Sequence, residues 1–416
     1  MASRDDFLNA VKRITATNMM ISEVIDLAGT LTLTGERDLA VQLYRIWIAF
    51  NQESPVICAA NFNLAALLSD QGELIAAKEA LEQAIAVNAD FFPAYINLGI
   101  IYEKMGNVEQ AVLRWQDLDI KLAAVTGATV GYKLTVLKQM GRVFEAHLRL
   151  ETAESILRQS LWLNPHQIDV VEHYLSLRMQ QCKWPIVEPW EGVSRKDLMA
   201  GMTPLVAATY TDDPILHLAS AYRYNKNLDP AADDIVPKFN PTLLSSGRRR
   251  IGYLSSDLRG HAVGFLVSEV FEIHDRNRYE IFAYYCGPEG EDTQQARIKA
   301  SVEHWVDVSQ MNHAAVAQRI AADSIDILVD LNGYTRFART EVMALRPAPI
   351  QVNWLGFPGT MGSPYYHYIL ADDWIIPENQ EVFFSEKVLR LPCYQPNDRK
   401  RLAVSYTHLA GDSQMT

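Results

Sequence analysis

The sequence has no excess of basic residues, few cysteines and no long apolar run. Its 416 residues carry a net charge of -12, whereas nucleic-acid-binding proteins usually show a basic footprint. Cys58, Cys182, Cys286 and Cys393 are far apart and form no CxxC pair, which argues against a zinc site or a disulfide framework. No run of about 18 consecutive apolar residues occurs, and the N-terminus has no apolar signal core. We therefore expect a cytoplasmic protein with reduced thiols, no metal, no nucleic-acid partner and no membrane partner.

Three common motifs are also missing. No GxGxxG, GxxxxGK[ST] or GxSxG occurs in the chain, so dinucleotide, P-loop and hydrolase functions lose their strongest support. The composition itself, 49% hydrophobic and 21% charged, is ordinary for a globular protein. A chain of this length is long enough for two or three domains.

What the sequence does contain, from about residue 20 to 185, is a helical repeat. Six positions recur after 34 residues: Leu64, Ala65, Leu68, Gly72, Ala77 and Leu81 return as Leu98, Gly99, Tyr102, Gly106, Ala111 and Trp115. This is the tetratricopeptide period. Looser copies flank the pair, with Gly35, Ala40 and Tyr44 upstream and Gly141 and Ala146 downstream. We predict an α-solenoid arm over residues 1–182.

Stacked helix pairs leave a concave surface that suits an extended partner better than it suits chemistry. Asn63 and Asn97 hold the same place in successive repeats. A side-chain amide there can donate to and accept from a peptide backbone. The alternative is that they are two ordinary surface asparagines.

Residues 183–247 are rich in proline, and we interpret them as a helical linker, with helices near 195–210 and 215–224. Strands and helices alternate from residue 249 onward. The predicted strands are 250–255, 280–285, 304–308, 325–332, 351–355, 368–371 and 387–391, and the predicted helices lie near 263–274, 293–301, 314–323 and 338–345. This alternation indicates a parallel, doubly wound, Rossmann-like α/β domain with 325–332 as its central strand.

Polar and glycine-containing loops follow three of these strands, at 255–261, 332–335 and 355–360. Ligands of parallel sheets bind outside the carboxyl ends of the strands, so the three loops are expected to meet around one ligand. Asp257 and His261 are the ionisable candidates for proton exchange or orientation. Plainer roles are open for both: Asp257 as the cap of the following helix, and His261 as a satisfied histidine at the helix start.

These loops carry a family resemblance. The segments 251–257 with His261, 332–335, 345–351 (Leu-Arg-Pro-Ala-Pro-Ile-Gln) and 354–360 (Trp-Leu-Gly-Phe-Pro-Gly-Thr) resemble the protein O-linked N-acetylglucosaminyltransferases, including the SPINDLY group, in glycosyltransferase family 41. Tetratricopeptide repeats precede the catalytic region in that family too. The likeness covers about residues 20–401.

The resemblance implies a GT-B glycosyltransferase that moves N-acetylglucosamine from UDP-N-acetylglucosamine to Ser or Thr of protein acceptors, without a cofactor or metal ion. It implies catalytic roles for His261 and Asp257. It also implies that the donor sugar is bound by Leu355, Gly356, Pro358, Asn332 and Tyr334. It also implies that acceptor peptides contact Asn63 and Asn97 along the groove of the arm. SPINDLY relatives transfer fucose, so the donor sugar stays open.

The chain also departs from the family pattern. The family has His-Pro-Thr where this chain has His261-Ala-Val, and the family histidine of the linker has no clear equivalent. Residues 248–401 correspond to the first Rossmann half of a GT-B enzyme, and the tail 402–416 does not match the family. We expect a truncated chain with weak or no activity of its own. The alternatives are a SPINDLY-like O-fucosyltransferase and a non-catalytic peptide-binding scaffold.

Overall fold

The computed structural model describes residues 4–226 and 247–400. The chain divides into two compact units, Met1–Gly201 and Met202–Thr416. The predicted linker 183–247 is split between these units, and its residues 227–246 lie outside the described residues, as does the predicted tail 402–416. No helix in the described part of the chain is long and apolar enough to cross a bilayer.

The first unit consists mainly of helices, and most of these helices pack in consecutive pairs. Its helices are α1 (Arg4–Thr15), α2 (Ile21–Leu33), α3 (Arg37–Phe50), α4 (Ile57–Asp70), α5 (Leu74–Val87), α6 (Phe92–Lys104), α7 (Val108–Lys121), α8 (Val130–Ala146), α9 (Leu150–Leu163), α10 (Ile168–Gln180) and α11 (Arg195–Ala200). One apolar core runs without interruption from Ala10 in α1 to Ile101 in α6. The predicted α-solenoid is therefore confirmed.

Glycine marks the turn inside three helix pairs. Gly35, Gly72 and Gly106 have φ angles of +87°, +81° and +78°, a left-handed conformation that glycine adopts without steric cost. Gly99 has a different role, because a Cβ there would lie 2.2 Å from Trp115 Nε1. The small residue lets α6 and α7 approach closely.

The repeat that includes α8 and α9 departs from the spacing of the two regular repeats, as its looser sequence match predicts. Gly141 and Ala146 lie inside α8 rather than at the turn and in the next helix. A Cβ on Gly141 would lie 2.4 Å from Leu157 Cδ2, so Gly141 is the counterpart of Gly99. The turn itself falls at Leu148, which has a φ of +56°. The longer helix α8, with 17 residues, moves the turn beyond the position that a strict period predicts.

The second unit is an α/β domain with seven parallel strands in the order β3-β2-β1-β4-β5-β6-β7. The strands are β1 (Arg249–Ser255), β2 (Tyr279–Tyr285), β3 (His304–Asp307), β4 (Ile327–Asp330), β5 (Ile350–Asn353), β6 (Tyr368–Ala371) and β7 (Lys387–Arg390). The helices are α12 (Pro204–Tyr210), α13 (Pro214–Lys226), α14 (Ala262–Ile273), α15 (Thr293–Ala300), α16 (His313–Ala322), α17 (Thr340–Ala344) and a 3-10 helix (Glu378–Phe383). The predicted fold class, an α-solenoid followed by a Rossmann-like α/β domain, is confirmed.

Both faces of this sheet are covered. In β1, Leu254 belongs to one apolar cluster and Tyr253 to the other, because successive side chains of a strand point to opposite faces. β4 is the middle strand, as predicted. The single helix predicted near 195–210 is wrong: Gly201 ends α11, and Thr203 caps α12 with Pro204 at its first position, where proline is favoured.

Candidate functional site

The three predicted loops meet at one edge of the sheet. β1, β4 and β5 are parallel neighbours, with Leu254 beside Asp330 and Asp330 beside Asn353. The chain leaves β1 toward β2 on one side and later continues from β4 to β5 on the other. This change of direction between β1 and β4 is a topological switch point, where ligands of open α/β sheets bind. We call the edge formed by residues 255–261, 332–335 and 355–360 the rim.

Asn332 joins two of these loops. It is 1% exposed, its Oδ1 accepts a hydrogen bond from the Ser256 N–H at 2.8 Å, and its Nδ2 lies 2.8 Å from Ser256 Oγ and 3.0 Å from Asp257 Oδ2. The Asn332 N–H donates to Asp330 Oδ1 at 2.9 Å. The predicted convergence of the loops after β1 and β4 is thus confirmed, and a buried amide fixes it.

Asp257 and His261 lie next to each other at the rim. The Oδ2 of Asp257 is 3.8 Å from Nδ1 of His261, and their side chains are 9% and 39% exposed. His261 caps α14, because its Nδ1 accepts the Val263 N–H at 3.3 Å. Helix capping therefore falls to His261 and not to Asp257. With Nδ1 as an acceptor, the proton of the neutral ring is assigned to Nε2, which leaves Nε2 as a donor for a ligand.

We call residues 355–360 the glycine turn. Leu355 has a φ of +75° and is buried, whereas Pro358 is exposed. A Cβ on Gly356 would lie 2.1 Å from the Leu331 carbonyl oxygen, so this turn lies directly against the end of β4. Asn353 Nδ2 donates to the Phe357 carbonyl at 3.0 Å and to that of Gly359 at 3.3 Å. The turn thus has a fixed shape with an exposed outer side.

Tyr334 is a buried member of the rim. It is 8% exposed, its hydroxyl donates to the Met361 carbonyl at 2.5 Å, and it accepts from Asn225 Nδ2 at 3.0 Å. Its ring packs edge-on against Phe357. Tyr334 and Asn332 therefore have their polar groups committed to other residues of the unit, whereas His261 and Pro358 are open to solvent.

Sequence reasoning missed three residues that hold the rim. Asp292 caps α15, and its Oδ2 also accepts the Gly260 N–H at 2.7 Å. Burial acts to raise the pKa of Asp292, but hydrogen bonds from backbone N–H groups outweigh it and lower the pKa. An aspartate just before a helical pattern is a recognisable cap. The other two, Glu386 and Asn225, contact the segment after the glycine turn, and no local sequence pattern identifies them.

Asn63 and Asn97 lie on α4 and α6, each the first helix of its pair, and both are partly exposed. Burial raises the pKa of Tyr44 to about 12, and a hydrogen bond between the Tyr44 hydroxyl and Asn63 acts against this increase. Asn63 and Asn97 hold equivalent positions in successive repeats, and the acceptor-peptide contact stays a prediction. Within residues 4–226 and 247–400, no group of three or more His, Cys, Asp and Glu side chains is arranged to hold a metal ion.

Comparison with protein families gives matches over both units. Residues 236–401 match the family Glycosyl transferase family 41, and residues 59–91 and 92–113 match a tetratricopeptide repeat. Among solved structures, the chain matches a Thermobaculum terrenum O-GlcNAc transferase mutant, with a TM-score of 0.44 and 22% identity over 95% of this chain and 60% of that one.

Three curated relatives carry related names. The chain is 38% identical over 224 residues to the Arabidopsis thaliana "Probable UDP-N-acetylglucosamine--peptide N-acetylglucosaminyltransferase SEC", covering 51% of this chain and 23% of the relative. It is 41% identical over 146 residues to the Caenorhabditis elegans UDP-N-acetylglucosamine--peptide N-acetylglucosaminyltransferase, covering 35% of this chain and 13% of the relative. It is 34% identical over 155 residues to a rice SPINDLY protein, covering 35% and 17%.

The matched segments therefore span less than a quarter of each of these three relatives. The chain therefore contains a glycosyltransferase family 41 region at residues 236–401 with tetratricopeptide repeats ahead of it, and it is similar in sequence to proteins named as O-GlcNAc transferases and SPINDLY proteins.

Proposed function

We propose that the chain contributes the acceptor-binding arm and the rim of a protein O-linked N-acetylglucosaminyltransferase. The observation that carries the proposal is the meeting of His261, Asp257 and the glycine turn at one rim, at the switch point of a parallel sheet. The donor is UDP-N-acetylglucosamine, and the acceptor is a Ser or Thr hydroxyl of a protein.

The reaction breaks the bond between the anomeric carbon and the diphosphate oxygen and forms a bond from that carbon to the acceptor oxygen. UDP leaves with the electron pair of the broken bond. We assign the hydroxyl proton to the carboxylate of Asp257, whose Oδ2 is 3.8 Å from Nδ1 of His261. The Nε2–H of His261 donates a hydrogen bond to the donor substrate, and this bond fixes the orientation of the donor substrate. Stabilisation of charge on the leaving diphosphate is expected to supply most of the rate gain.

The other predicted rim residues divide into two groups. Leu355, Gly356 and Pro358 are proposed to contact the donor sugar, because they form the turn whose outer side is exposed. Asn332 and Tyr334 are proposed to act as positioning residues, because their polar groups are bonded to the neighbouring loops. This division differs from the sequence analysis, which placed all five on the donor.

The arm is proposed to bind the acceptor polypeptide, with Asn63 and Asn97 bonding to its backbone. We place this activity in the cytoplasm. All four cysteines are free thiols, as expected in a reducing compartment.

Saturation-transfer NMR tests donor binding by the 416-residue chain. UDP-N-acetylglucosamine at millimolar concentration should receive saturation at its acetyl methyl group, and His261→Ala should reduce that signal at least about fivefold, the loss of one hydrogen bond. His304→Ala is the matched control, since His304 is a partly exposed histidine of β3 bonded to Glu280. A wild-type chain that gives no saturation transfer would contradict the proposal.

The same experiment separates the rival functions. A SPINDLY-like enzyme, favoured by the 34% identity to the rice SPINDLY protein, would prefer a fucose-bearing nucleotide sugar as competitor. A scaffold would bind unstructured peptides through the arm and neither nucleotide sugar. Peptide binding by fluorescence anisotropy, with and without Asn63→Ala and Asn97→Ala, completes the distinction.

A further inference from the structure

Glu386 is a buried carboxylate that the proposed reaction does not use. It lies between the 3-10 helix Glu378–Phe383 and strand β7, and it is 5% exposed. Within the described ranges, no Lys, Arg or His side chain forms an ion pair with it. Burial raises the pKa of Glu386. A buried acid without a cation is costly to keep, so its hydrogen bonds must have a specific structural use.

Two of those hydrogen bonds go to the end of the glycine turn, at Thr360 and Met361. Oε1 of Glu386 accepts the Met361 N–H at 2.6 Å. Oε2 accepts the hydroxyl of Thr360 at 2.8 Å and that of Ser385 at 3.1 Å. One side chain therefore fixes the last residue of the turn and the residue after it.

Asn225, near the end of α13, holds the same residue from its other side. Its Nδ2 donates to the Met361 carbonyl at 2.5 Å, and its Oδ1 accepts from the Tyr365 hydroxyl. The next residue, Gly362, has a φ of +54°, and a Cβ there would lie 2.6 Å from the Tyr222 backbone nitrogen. The backbone of Met361 is thus held at both its N–H and its carbonyl group.

The two attachments at Met361 matter for the rim because Leu355, at the start of the glycine turn, has a strained backbone conformation. Leu355 has a φ of +75°, and a left-handed conformation costs a residue with a side chain about 1 to 2 kcal/mol. Such a conformation persists when the surrounding structure fixes it. β5 fixes the turn at its beginning, and Glu386 and Asn225 fix it at its end.

We propose that Glu386 and Asn225 are positioning residues that hold the glycine turn in the shape that faces the donor sugar. The identity of the ligand rests on the proposed function, whereas the attachment of the turn does not. Loss of either side chain should loosen residues 355–362 while the sheet stays folded.

Hydrogen exchange of the 416-residue chain, read by mass spectrometry, tests the attachment. Glu386→Ala should speed exchange of the amides in 355–362 by about tenfold or more, because it removes the hydrogen bonds to the Met361 N–H and the Thr360 hydroxyl. Glu386→Gln should restore slow exchange, because its amide oxygen can accept from Met361 and its NH2 can donate to the hydroxyls. The control is Glu381→Ala, which removes a nearby carboxylate that bonds Arg390 instead.

Saturation-transfer NMR links the attachment to the ligand. Glu386→Ala and Asn225→Ala should weaken the acetyl-methyl signal of UDP-N-acetylglucosamine relative to its uracil signal, and Glu386→Gln should not. If the wild type binds no donor while Glu386→Ala still loosens 355–362, the proposed function fails and the attachment stands.

Two results would overturn the proposal: exchange of 355–362 unchanged in folded Glu386→Ala, or exchange raised equally throughout the sheet unit. If Glu386→Ala does not fold, Asn225→Ala replaces it, because it removes the side chain that bonds the Met361 carbonyl. Asn225→Ala should then speed exchange in 355–362 selectively, and unchanged exchange would contradict the proposal.

Discussion

The turn glycines of the helical arm and the glycines at positions 264 and 356 of the sheet unit are needed for different reasons. At Gly35, Gly72 and Gly106 in the arm, a Cβ would have no other atom within 4 Å, so these positions need glycine only for their left-handed φ. In the sheet unit, Cβ atoms on Gly264 and Gly356 would lie 2.0 and 2.1 Å from backbone carbonyl oxygens. A turn of the arm can therefore lie at a different position in its repeat, as the turn at Leu148 does. The glycine turn of the rim packs directly against the end of β4, so a change in its position would also displace that strand.

The largest expected effect is that of Gly356→Ala. Its Cβ would meet a backbone oxygen, which cannot rotate away, so we expect a loss of about 3 kcal/mol of unfolding free energy or more in the sheet unit. Gly127→Ala in the arm, where no atom lies within 4 Å, should change stability by less than about 0.5 kcal/mol. Denaturant unfolding measures both, and equal losses would remove the contrast between the units.

The two units can also be compared by removing one asparagine amide from each: Asn332, which is buried, and Asn97, which is partly exposed. Removing the amide of Asn332 leaves the Ser256 N–H without its partner, at a cost of about 1 to 3 kcal/mol. Asn97→Ala should leave stability within about 0.5 kcal/mol but weaken acceptor-peptide binding about fivefold. Thermal unfolding and anisotropy titration give the two readouts, and a large loss of stability in Asn97→Ala would refute this assignment.

Two buried glutamates should give opposite pH dependences. At Glu154 in the arm, burial opposes the charge, but Lys183 and Arg178 outweigh it and lower the pKa. The contribution of Glu154 to the free energy of unfolding is therefore present above the ordinary glutamate pKa. It is lost as the pH falls through the lowered pKa of Glu154. The pKa of Glu386 is raised by burial, so its contribution is present below the ordinary pKa of 4.5 and is lost as pH rises through the raised value.

The difference in unfolding free energy between the wild type and Glu154→Gln should thus decrease as the pH is lowered. The difference between the wild type and Glu386→Gln should decrease as the pH rises above the ordinary glutamate pKa. Unfolding free energies across an acid-to-neutral pH series measure both differences. Parallel pH trends for the two pairs would show that the assigned environments are wrong.

The smallest effect concerns the irregular turn of the arm. Leu148 is 66% exposed and has a φ of +56°, so Leu148→Gly should relieve strain and stabilise the arm by up to about 1 kcal/mol. Leu113→Gly, at an exposed position inside α7, should destabilise it by about 1 kcal/mol. Melting temperatures compare the two, and destabilisation by both would argue against strain at Leu148.

Much of the fold follows from local sequence patterns. The strand predicted over 325–332 is observed as Ile327–Asp330 and that over 368–371 as Tyr368–Ala371, because apolar runs between turns identify buried parallel strands. The errors fall where the pattern is ambiguous. Helical periodicity continues through residues 195–210, although the structure has two helices there, divided at Gly201 and Pro204. The spacing of Gly141 and Ala146 does not reveal whether the glycine lies in a turn or inside a helix.

The sequence alone determined the two types of unit, the order of the strands along the chain and the loops that carry polar residues, because these depend on periodicity and on residues close together in the chain. Only the tertiary structure decided that His261 rather than Asp257 caps α14, that Tyr334 is buried, and that Glu386 and Asn225 form hydrogen bonds to residues 360 and 361. These features depend on burial and on hydrogen bonds between residues distant in sequence, and such bonds form only after the sheet brings its strand ends together.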